Sequence, residues 1–166
     1  MDLTIRAATT ADVDVVTQFN AALAWESEHK RLHEPTLKAG VRALLSDPRK
    51  GFYTLAERGG EVVGQTLITF EWSDWRNGWY WWIQSVYVRE DARKAGVFRS
   101  LFEHLKAKAV ADAEVIGLRL YVERENERAR RTYESLGMIE EPYFLHGLYP
   151  LPGKAGAFGR ADAGTI

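Results

Sequence analysis

The fold of this chain is decided by one stretch, VYVREDARKAGVFR at residues 86–99. Its first three residues, Val86-Tyr87-Val88, read as the apolar end of a strand. The segment Arg93-Lys94-Ala95-Gly96-Val97 then leads into a helix that starts near Phe98. Free N–H groups and the dipole at a helix N-terminus attract anions, and phosphate is a common guest. The stretch therefore predicts a phosphate-binding turn between a strand and a helix.

Charge and backbone freedom at this turn suit a compact polyanion. Arg93, Lys94 and Arg99 bring positive charge to the turn, and Gly96 lets a ligand approach the backbone closely. Taken alone, the same residues also fit a capped and solvated turn with no ligand. The sequence further along the chain is needed to separate the two interpretations.

A second pattern follows about twenty residues later. The segment Arg119-Leu120-Tyr121-Val122-Glu123, which overlaps a buried strand expected at Leu118 to Val122, precedes a helix. That helix begins at Asn126, passes through Ala129 and Tyr133, and ends at Leu136-Gly137-Met138. With both patterns present, the chain resembles the GCN5-related N-acetyltransferases (GNAT). Their core combines a strand, an Arg/Gln-x-x-Gly-x-Gly/Ala turn, a helix, another strand and an Asn-to-Tyr helix. The resemblance covers Leu3 to Tyr149 in element order and is specific in side chains from Trp79 to Met138.

The element order expected from the residues is β, α, α, β, β, β, α, β, α, β, with hairpins at Arg58-Gly59-Gly60-Glu61 and Asn77-Gly78 and with one or two closing strands from Met138 to Leu148. This is an α/β (α+β) arrangement. The resemblance implies a GNAT-like mixed, mostly antiparallel sheet of six to seven strands, with helices on both faces and a splayed central strand pair. We expect one domain at residues 1–149 and a Gly/Ala-rich C-terminal tail at 150–166.

The resemblance implies that acetyl-CoA is the acyl donor. Arg93 and Gly96 match the first and fourth motif positions, but Phe98 stands at the sixth, where Gly or Ala is usual. Close approach of the pyrophosphate therefore requires the Phe98 ring to point into the helix packing. The residues expected to hold CoA are Val86, Tyr87, Val88, Arg93, Lys94, Ala95, Gly96, Val97, Phe98, Arg99 and Asn126.

The implied reaction moves an acetyl or similar acyl group from acyl-CoA to a primary amine by direct attack in a ternary complex. The absence of cysteine excludes an acyl-enzyme route through a thiol. Tyr133 matches the family's proton donor, although its spacing with Ala129 and Leu136 also fits simple packing.

The general base is less defined by the sequence. Diamine-acetylating relatives carry an acid on strand four where this chain has Gln84. Glu71 and Glu28 are the candidates, with Glu26 and His29 as further possibilities, and each also fits a solvated surface residue. Strict alternation places Trp79, Trp81, Ile83, Ser85 and Tyr87 on one sheet face and Tyr80, Trp82, Gln84, Val86 and Val88 on the other. This aromatic surface fits an aromatic or cationic amine, plain packing or a dimer contact.

Composition narrows the partners. The 166 residues carry a net charge of −1, from 22 Lys plus Arg against 23 Asp plus Glu, so we expect no nucleic-acid or membrane partner. Alternating glutamates weaken a nucleic-acid role for Arg124 to Arg131.

The start of the sequence does not resemble a secretory signal, which predicts a cytoplasmic protein. His29 and His33 are the only histidines at metal-like spacing, and we expect no metal. The resemblance also implies a homodimer, because many relatives dimerise. The alternative function is a non-catalytic acyl-CoA-binding or sensing module.

Overall fold

A computed structural model describes residues 2–148 and residue 151. Within these residues the chain forms one five-stranded sheet in the order β1-β2-β3-β4-β5. Neighbouring strands are antiparallel except β4 and β5, which are parallel, so the predicted mixed, mostly antiparallel sheet is confirmed. The strands are β1 (Leu3–Ala7), β2 (Phe52–Arg58), β3 (Glu61–Ser73), β4 (Gly78–Val88) and β5 (Val115–Leu120). The helices are α1 (Val13–Glu28), α2 (Glu34–Leu45), α3 (Val97–Ala111) and α4 (Glu127–Ser135).

Helices cover both faces of the sheet, as predicted. α1 and α2 pack on one face, where Val16 and Val41 contact Tyr53 and Leu55 of β2. α3 packs on the opposite face through Phe102 and Leu105, which join a cluster with Ile68, Trp81 and Ile83. These apolar side chains are nearly all removed from water, and burying each one stabilises the fold by roughly 1.5–3 kcal/mol. α3 is thereby fixed against β4, which sets the position of its N-terminus.

The two hairpins differ in their turns. Gly59 and Gly60 both have positive φ and join Arg58 to Glu61 in a two-residue turn, as expected. The tight turn predicted at Asn77-Gly78 is wrong. Ser73 pairs with Gly78 across a four-residue loop, and only Asn77 has a positive φ there. Gly78 is needed for packing instead, because a Cβ on it would lie 2.5 Å from the Ile116 side chain.

An irregularity in β4 overturns the predicted alternation. Leu67 pairs with Ser85, whereas the next residue of β3, Ile68, pairs with Ile83, so Gln84 is an extra residue in β4. A bulge of this kind exchanges the two faces of the strand beyond it. Trp79, Trp81 and Ile83 therefore share a face with Val86 and Val88, against α3. Tyr80 and Trp82 share the α1 face with Ser85 and Tyr87.

The prediction of six to seven strands is wrong for the described residues, which contain five. The one or two closing strands expected from Met138 to Leu148 do not form, and this segment is irregular. A strand requires a hydrogen-bonding partner and a buried face. Ile139, Tyr143, Phe144, Leu145 and Leu148 are instead all exposed. The predicted tail at 150–166 lies outside the described residues apart from Leu151.

A charged cluster ties β1 to the start of α1. Arg6 donates to both carboxylate oxygens of Asp12, at 2.7 and 2.9 Å, and its Nε donates to Glu57 at 2.8 Å. Thr9 and Asp12 cap the short 3-10 turn that precedes α1. These hydrogen bonds, above all those from Arg6, lower the pKa of the buried Asp12 carboxyl to about 2. Among the described residues, no helix has the length and apolar character required to cross a bilayer.

Candidate active site

The candidate site begins where β4 and β5 part. Their pairing ends at Ile83 and Leu120, while β4 continues to Val88. Arg89 N–H donates to Val63 of β3, so by alternation the backbone groups of Val86 and Val88 point away from β3, toward the gap. This agrees with the splayed pair implied by the resemblance. The gap therefore offers free strand backbone on its β4 side.

The turn after β4 presents a run of unpaired amides. Lys94 and Gly96 both adopt positive φ, at 63° and 79°, and Gly96 is the residue preceding α3. Within the described residues, the N–H groups of 94–99 donate no hydrogen bond, whereas Ser100 already bonds back to Gly96. Consecutive amides at a helix N-terminus form a concave anion site. Lys94 and Arg99 are exposed beside it and add formal charge.

Arg93 is held by its own protein neighbours. Its Nη2 forms an ion pair with Glu26 of α1, and its Nε donates to Val88 O at 2.8 Å. Tyr87 OH donates to the other Glu26 oxygen at 2.9 Å. The hydrogen bond from Arg93 is the main cause of the lowered pKa of Glu26, while burial raises the pKa of Tyr87. In this arrangement Arg93 connects α1 to the end of β4, and its side chain is not free in the turn.

Phe98 and Tyr133 lie together on the α3 side. The Phe98 ring packs on Phe102 and Tyr133, with centroid distances of 6.2 and 5.8 Å. It thus points into the helix packing, as close approach to the amides requires. Burial raises the pKa of the Tyr133 phenol, so this group stays protonated at neutral pH.

Asn126 lies at the N-terminus of α4. Its side-chain oxygen accepts from Ala129 N at 3.0 Å, which caps the helix. Gly137 ends the same helix region with a φ of 89°, as predicted. The capping bond leaves the Asn126 side-chain NH₂ group as the part that can face a ligand.

The two predicted base candidates lie in different surroundings. Glu71 of β3 accepts from Trp82 Nε1 at 2.5 Å and from Arg119 Nη1 at 2.8 Å. Glu28 lies in the last turn of α1, is exposed, and forms an ion pair with Lys30 at 2.5 Å. Glu71 shares the α1 face of the sheet with Trp82 and Ser85, near the point where β4 and β5 part. The structure therefore brings Glu71, and not Glu28, to the strand pair.

Two features of this region were not identified from the sequence. The sequence suggests Glu26 only as a candidate general base. It does not show the ion pair of Glu26 with Arg93, because the two residues lie far apart in the chain. Arg119 binds Glu71 and also Glu141, at 3.3 Å, while its guanidinium lies 3.6 Å from the Tyr80 ring centroid. A charged residue between Leu118 and Leu120 in an apolar strand was a usable signal, since such a charge needs a partner.

Elsewhere in the described chain, the predicted site residues do not form a second site. A cleft of about 560 Å³ lies between α1 and the segment leading into α2, and it is lined by none of the predicted site residues. His29 Nδ1 contacts Trp25 O, and His33 Nδ1 contacts Thr36 Oγ1. Within residues 2–148 and 151, no three His, Cys, Asp or Glu side chains gather as a metal-binding group.

Comparison with known proteins agrees with this geometry. The model of the acetyltransferase (GNAT) family matches residues 17–138, well over half of the chain. The chain belongs to the GNAT family. A search of curated proteins gave no match for this GNAT protein.

Solved structures extend the likeness to nearly the whole GNAT chain. A possible acetyltransferase from Clostridium difficile 630 is 45% identical, with a TM-score of 0.85 over 90% of this chain and 98% of the other. A ribosomal-protein-alanine N-acetyltransferase from Brucella melitensis biovar Abortus 2308 is 19% identical, with a TM-score of 0.71 over 89% and 98%. An aminoglycoside N-acetyltransferase in complex with CoA is 12% identical, with a TM-score of 0.74 over 90% and 96%. The last two likenesses show the fold alone.

Proposed function

We propose that this GNAT protein is an N-acetyltransferase that moves the acetyl group of acetyl-CoA to a primary amine by direct attack in a ternary complex. The observation that carries the proposal is the run of unpaired amides at 94–99, next to the gap between β4 and β5. A diphosphate needs several aligned donors, and a pantetheine arm needs strand backbone to pair with. Both features lie at one end of β4.

CoA binding is assigned in parts. The diphosphate lies on the amides from Lys94 to Arg99, with the charges of those two side chains around it. The pantetheine amides pair with the backbone of Val86 and with the N–H of Val88, which face the gap, since the Val88 carbonyl accepts from Arg93. Asn126 donates from its NH₂ group to the arm. Arg93 supports the site indirectly, because its side chain is paired with Glu26 and Val88.

The chemistry requires several proton and bond changes. An alkylammonium, with a pKa of roughly 10.4 by analogy with lysine, first gives up a proton. The amine then attacks the thioester carbon, and a backbone N–H near Val86 stabilises the negative oxygen that forms. The C=O bond re-forms as the C–S bond breaks, and Tyr133 gives its proton to the leaving sulfur. The nitrogen loses its second proton to water, and the Tyr133 phenolate takes a proton back from water, so that the amide and the enzyme both end neutral at these groups. The raised pKa of Tyr133 keeps that proton available.

Glu71 is the base candidate that the geometry favours over Glu28. Both its oxygens accept hydrogen bonds, but its side chain is 43% exposed and keeps further lone pairs for a water or amine. The base acts directly or through such a water. Glu28 remains the second candidate.

A thiol-release assay tests the function. Acetyl-CoA is incubated with the protein and a panel of aromatic amines, polyamines and amino acids, and free CoA is measured. Release that depends on one class of amine supports the transferase. Tight CoA binding with no amine-dependent release would favour an acyl-CoA sensor instead. We also propose a cytoplasmic location, no metal requirement and, from the dimers that many relatives form, a homodimer, which sedimentation checks.

A further inference from the structure

One part of the α1 face of the sheet stays open to solvent. α1 covers the face over Leu55 and reaches Tyr87 through Phe19, whose ring centroid lies 4.9 Å away. Beyond it, a group of side chains that contact one another lies near the tip of β3 and the end of β5. We call this group the aromatic patch. It consists of Glu71, Tyr80, Trp82, Arg119 and Tyr121.

The patch spans the point where the strands part. Trp82 of β4 and Tyr121, just after β5, stack with centroids 4.4 Å apart and planes 23° apart. Each ring is next to a member of the last β4–β5 pair, Ile83 and Leu120. Tyr121 is 49% exposed, so the stack leaves ring surface open to solvent. A flat ring placed on that surface extends the stack by one layer.

The charges of the patch favour a cation. Arg119 faces two carboxylates, Glu71 of the patch at 2.8 Å and the neighbouring Glu141 at 3.3 Å, so that these three side chains together carry a net charge of −1. Its guanidinium is also held over the Tyr80 ring at 3.6 Å. The side chains of Glu71 and Glu141 are 43% and 45% exposed, so both acids remain accessible to a ligand. An incoming ammonium therefore finds carboxylate oxygens beside aromatic rings.

We propose that the aromatic patch binds the acceptor, and that the acceptor is an arylalkylamine. Its flat ring stacks on Tyr121, and a short alkyl arm carries the primary amine toward Glu71 and the gap between β4 and β5. The inference rests on the proposed function, because the acceptor is the amine that receives the acetyl group. Its binding test, however, does not need turnover.

The test compares two amines of the same charge and arm length. Binding of 2-phenylethylamine and 2-cyclohexylethylamine to the CoA-saturated protein is measured by calorimetry, and thiol release from acetyl-CoA is measured with each. We expect the aromatic amine to bind about tenfold more tightly, as stacking on an open ring predicts. Equal affinities, or no detectable binding of the aromatic amine at millimolar concentration, would overturn the inference.

Variants locate the preference. Tyr121→Leu should remove the difference between the two amines, whereas Tyr121→Phe should keep it because the ring remains. Trp75→Leu is the matched control, since Trp75 is 89% exposed in the β3–β4 loop and outside the patch. A preference that survives Tyr121→Leu also overturns the inference. If the Tyr121-dependent preference is present and neither of these amines releases CoA while another amine of the panel does, the acceptor assignment is overturned. If no amine of the panel releases CoA, the transferase proposal fails and the patch is a binding site for arylalkylamines.

Discussion

At the scale of single residues, Arg93 contacts two other parts of the protein at the position where the motif implies a CoA ligand. The family pattern places it among the CoA ligands, but its guanidinium bonds to Glu26 of α1 and to Val88 O. The first contact joins the helix to the strand end, and the second takes up the Val88 carbonyl. Arg93 therefore shapes the site by holding its walls together. The nearby amides of 94–99 remain available to the ligand.

Tyr133 is the residue whose role can be isolated most cleanly. Tyr133→Phe should lower turnover by about a hundredfold, the usual scale of general acid catalysis, because the sulfur then leaves without a proton donor. Calorimetry should show acetyl-CoA affinity within about twofold of wild type, since the ring and its contact with Phe98 remain. Tyr143→Phe is the control, because Tyr143 is exposed after α4. Near-normal turnover of Tyr133→Phe would remove this residue from the mechanism.

The base is assigned by comparing two glutamates. Glu71→Gln keeps a single acceptor oxygen, which can serve Trp82 or Arg119 but not both, and it cannot take a proton. We expect it to lower kcat by about a hundredfold, because the ammonium then has no carboxylate to take its proton. Glu28→Gln is measured in parallel. A loss of kcat in Glu28→Gln alone would transfer the role to Glu28, whereas a wild-type kcat in Glu71→Gln would exclude Glu71.

At the scale of elements, the turn between β4 and α3 depends on backbone conformation. Gly96→Ala introduces a Cβ at a φ of 79°, which costs roughly 1–2 kcal/mol of stability and displaces the amides of the turn. We expect acetyl-CoA affinity to fall about tenfold, equivalent to 1.4 kcal/mol.

Gly60→Ala provides a matched comparison for Gly96→Ala. Gly60 has a φ of 83°, and no atom lies within 4 Å of its virtual Cβ, as at Gly96. It belongs to the β2–β3 turn, which contains none of the proposed CoA ligands. Similar losses of stability in both variants, with loss of affinity only in Gly96→Ala, would support the account. Equal affinities in calorimetry would contradict it.

The junction of β1 and α1 predicts a dependence of stability on pH. The folded pKa of Asp12, about 2, lies below its ordinary value of 3.8, so its contribution is present above pH 4 and is lost as the pH falls toward 2. Asp12→Asn should therefore lower the free energy of unfolding by about 2 kcal/mol at pH 7. Urea unfolding at pH 7 and at about pH 3 measures whether the difference in unfolding free energy between wild type and Asp12→Asn becomes smaller in acid.

The control for Asp12 is another acid of the same region. Asp14 pairs with Lys38 at 2.6 Å, but its side chain is 73% exposed. Asp14→Asn should leave stability nearly unchanged, because exposed ion pairs contribute little. If the unfolding free energies of wild type and Asp12→Asn differ as much at pH 3 as at pH 7, the Asp12 charge is not the stabilising feature.

The order of elements could be predicted from the sequence, because each has a local signal. The Gly59-Gly60 turn, Asn126 and Gly137 mark ends of elements by their own chemistry. The bulge at Gln84 could not be predicted, since it depends on how β3 and β4 pair over their whole length. Among the described residues no sixth strand forms, for the same reason: Ile139 and Tyr143 are residue types common in strands, but strand formation requires a partner.

Within the candidate site, the turn between β4 and α3 could be predicted from the sequence, whereas the side-chain pairs around it could not. Gly96 and the following helix are contiguous in sequence, so their pattern shows directly. The contacts of Glu26 with Arg93 and of Glu71 with Arg119 join residues separated by dozens of positions. Such pairs depend on the packing of α1 and β5 against the sheet, which periodicity does not specify.

At the scale of the whole molecule, the sheet has a packed antiparallel part, β1 to β4, and an open part, the gap between β4 and β5. Antiparallel pairing holds β1 to β4 together, and α3 fixes the far end of β4 from one side while α1 fixes it from the other. The parallel β4–β5 pair ends early and leaves the gap. Amides for a diphosphate lie at the β4 end of that gap, and the aromatic patch lies where it begins. Donor and acceptor can thus meet between two strands.

The most direct test of the central claim, that the amides of 94–99 hold the diphosphate of CoA, is calorimetric titration of the protein with acetyl-CoA and with S-acetylpantetheine, which lacks the diphosphate. The account predicts that acetyl-CoA binds at least about tenfold more tightly, since only it reaches the amides. Equal binding of the two compounds, or no association of acetyl-CoA at millimolar concentration, would contradict it.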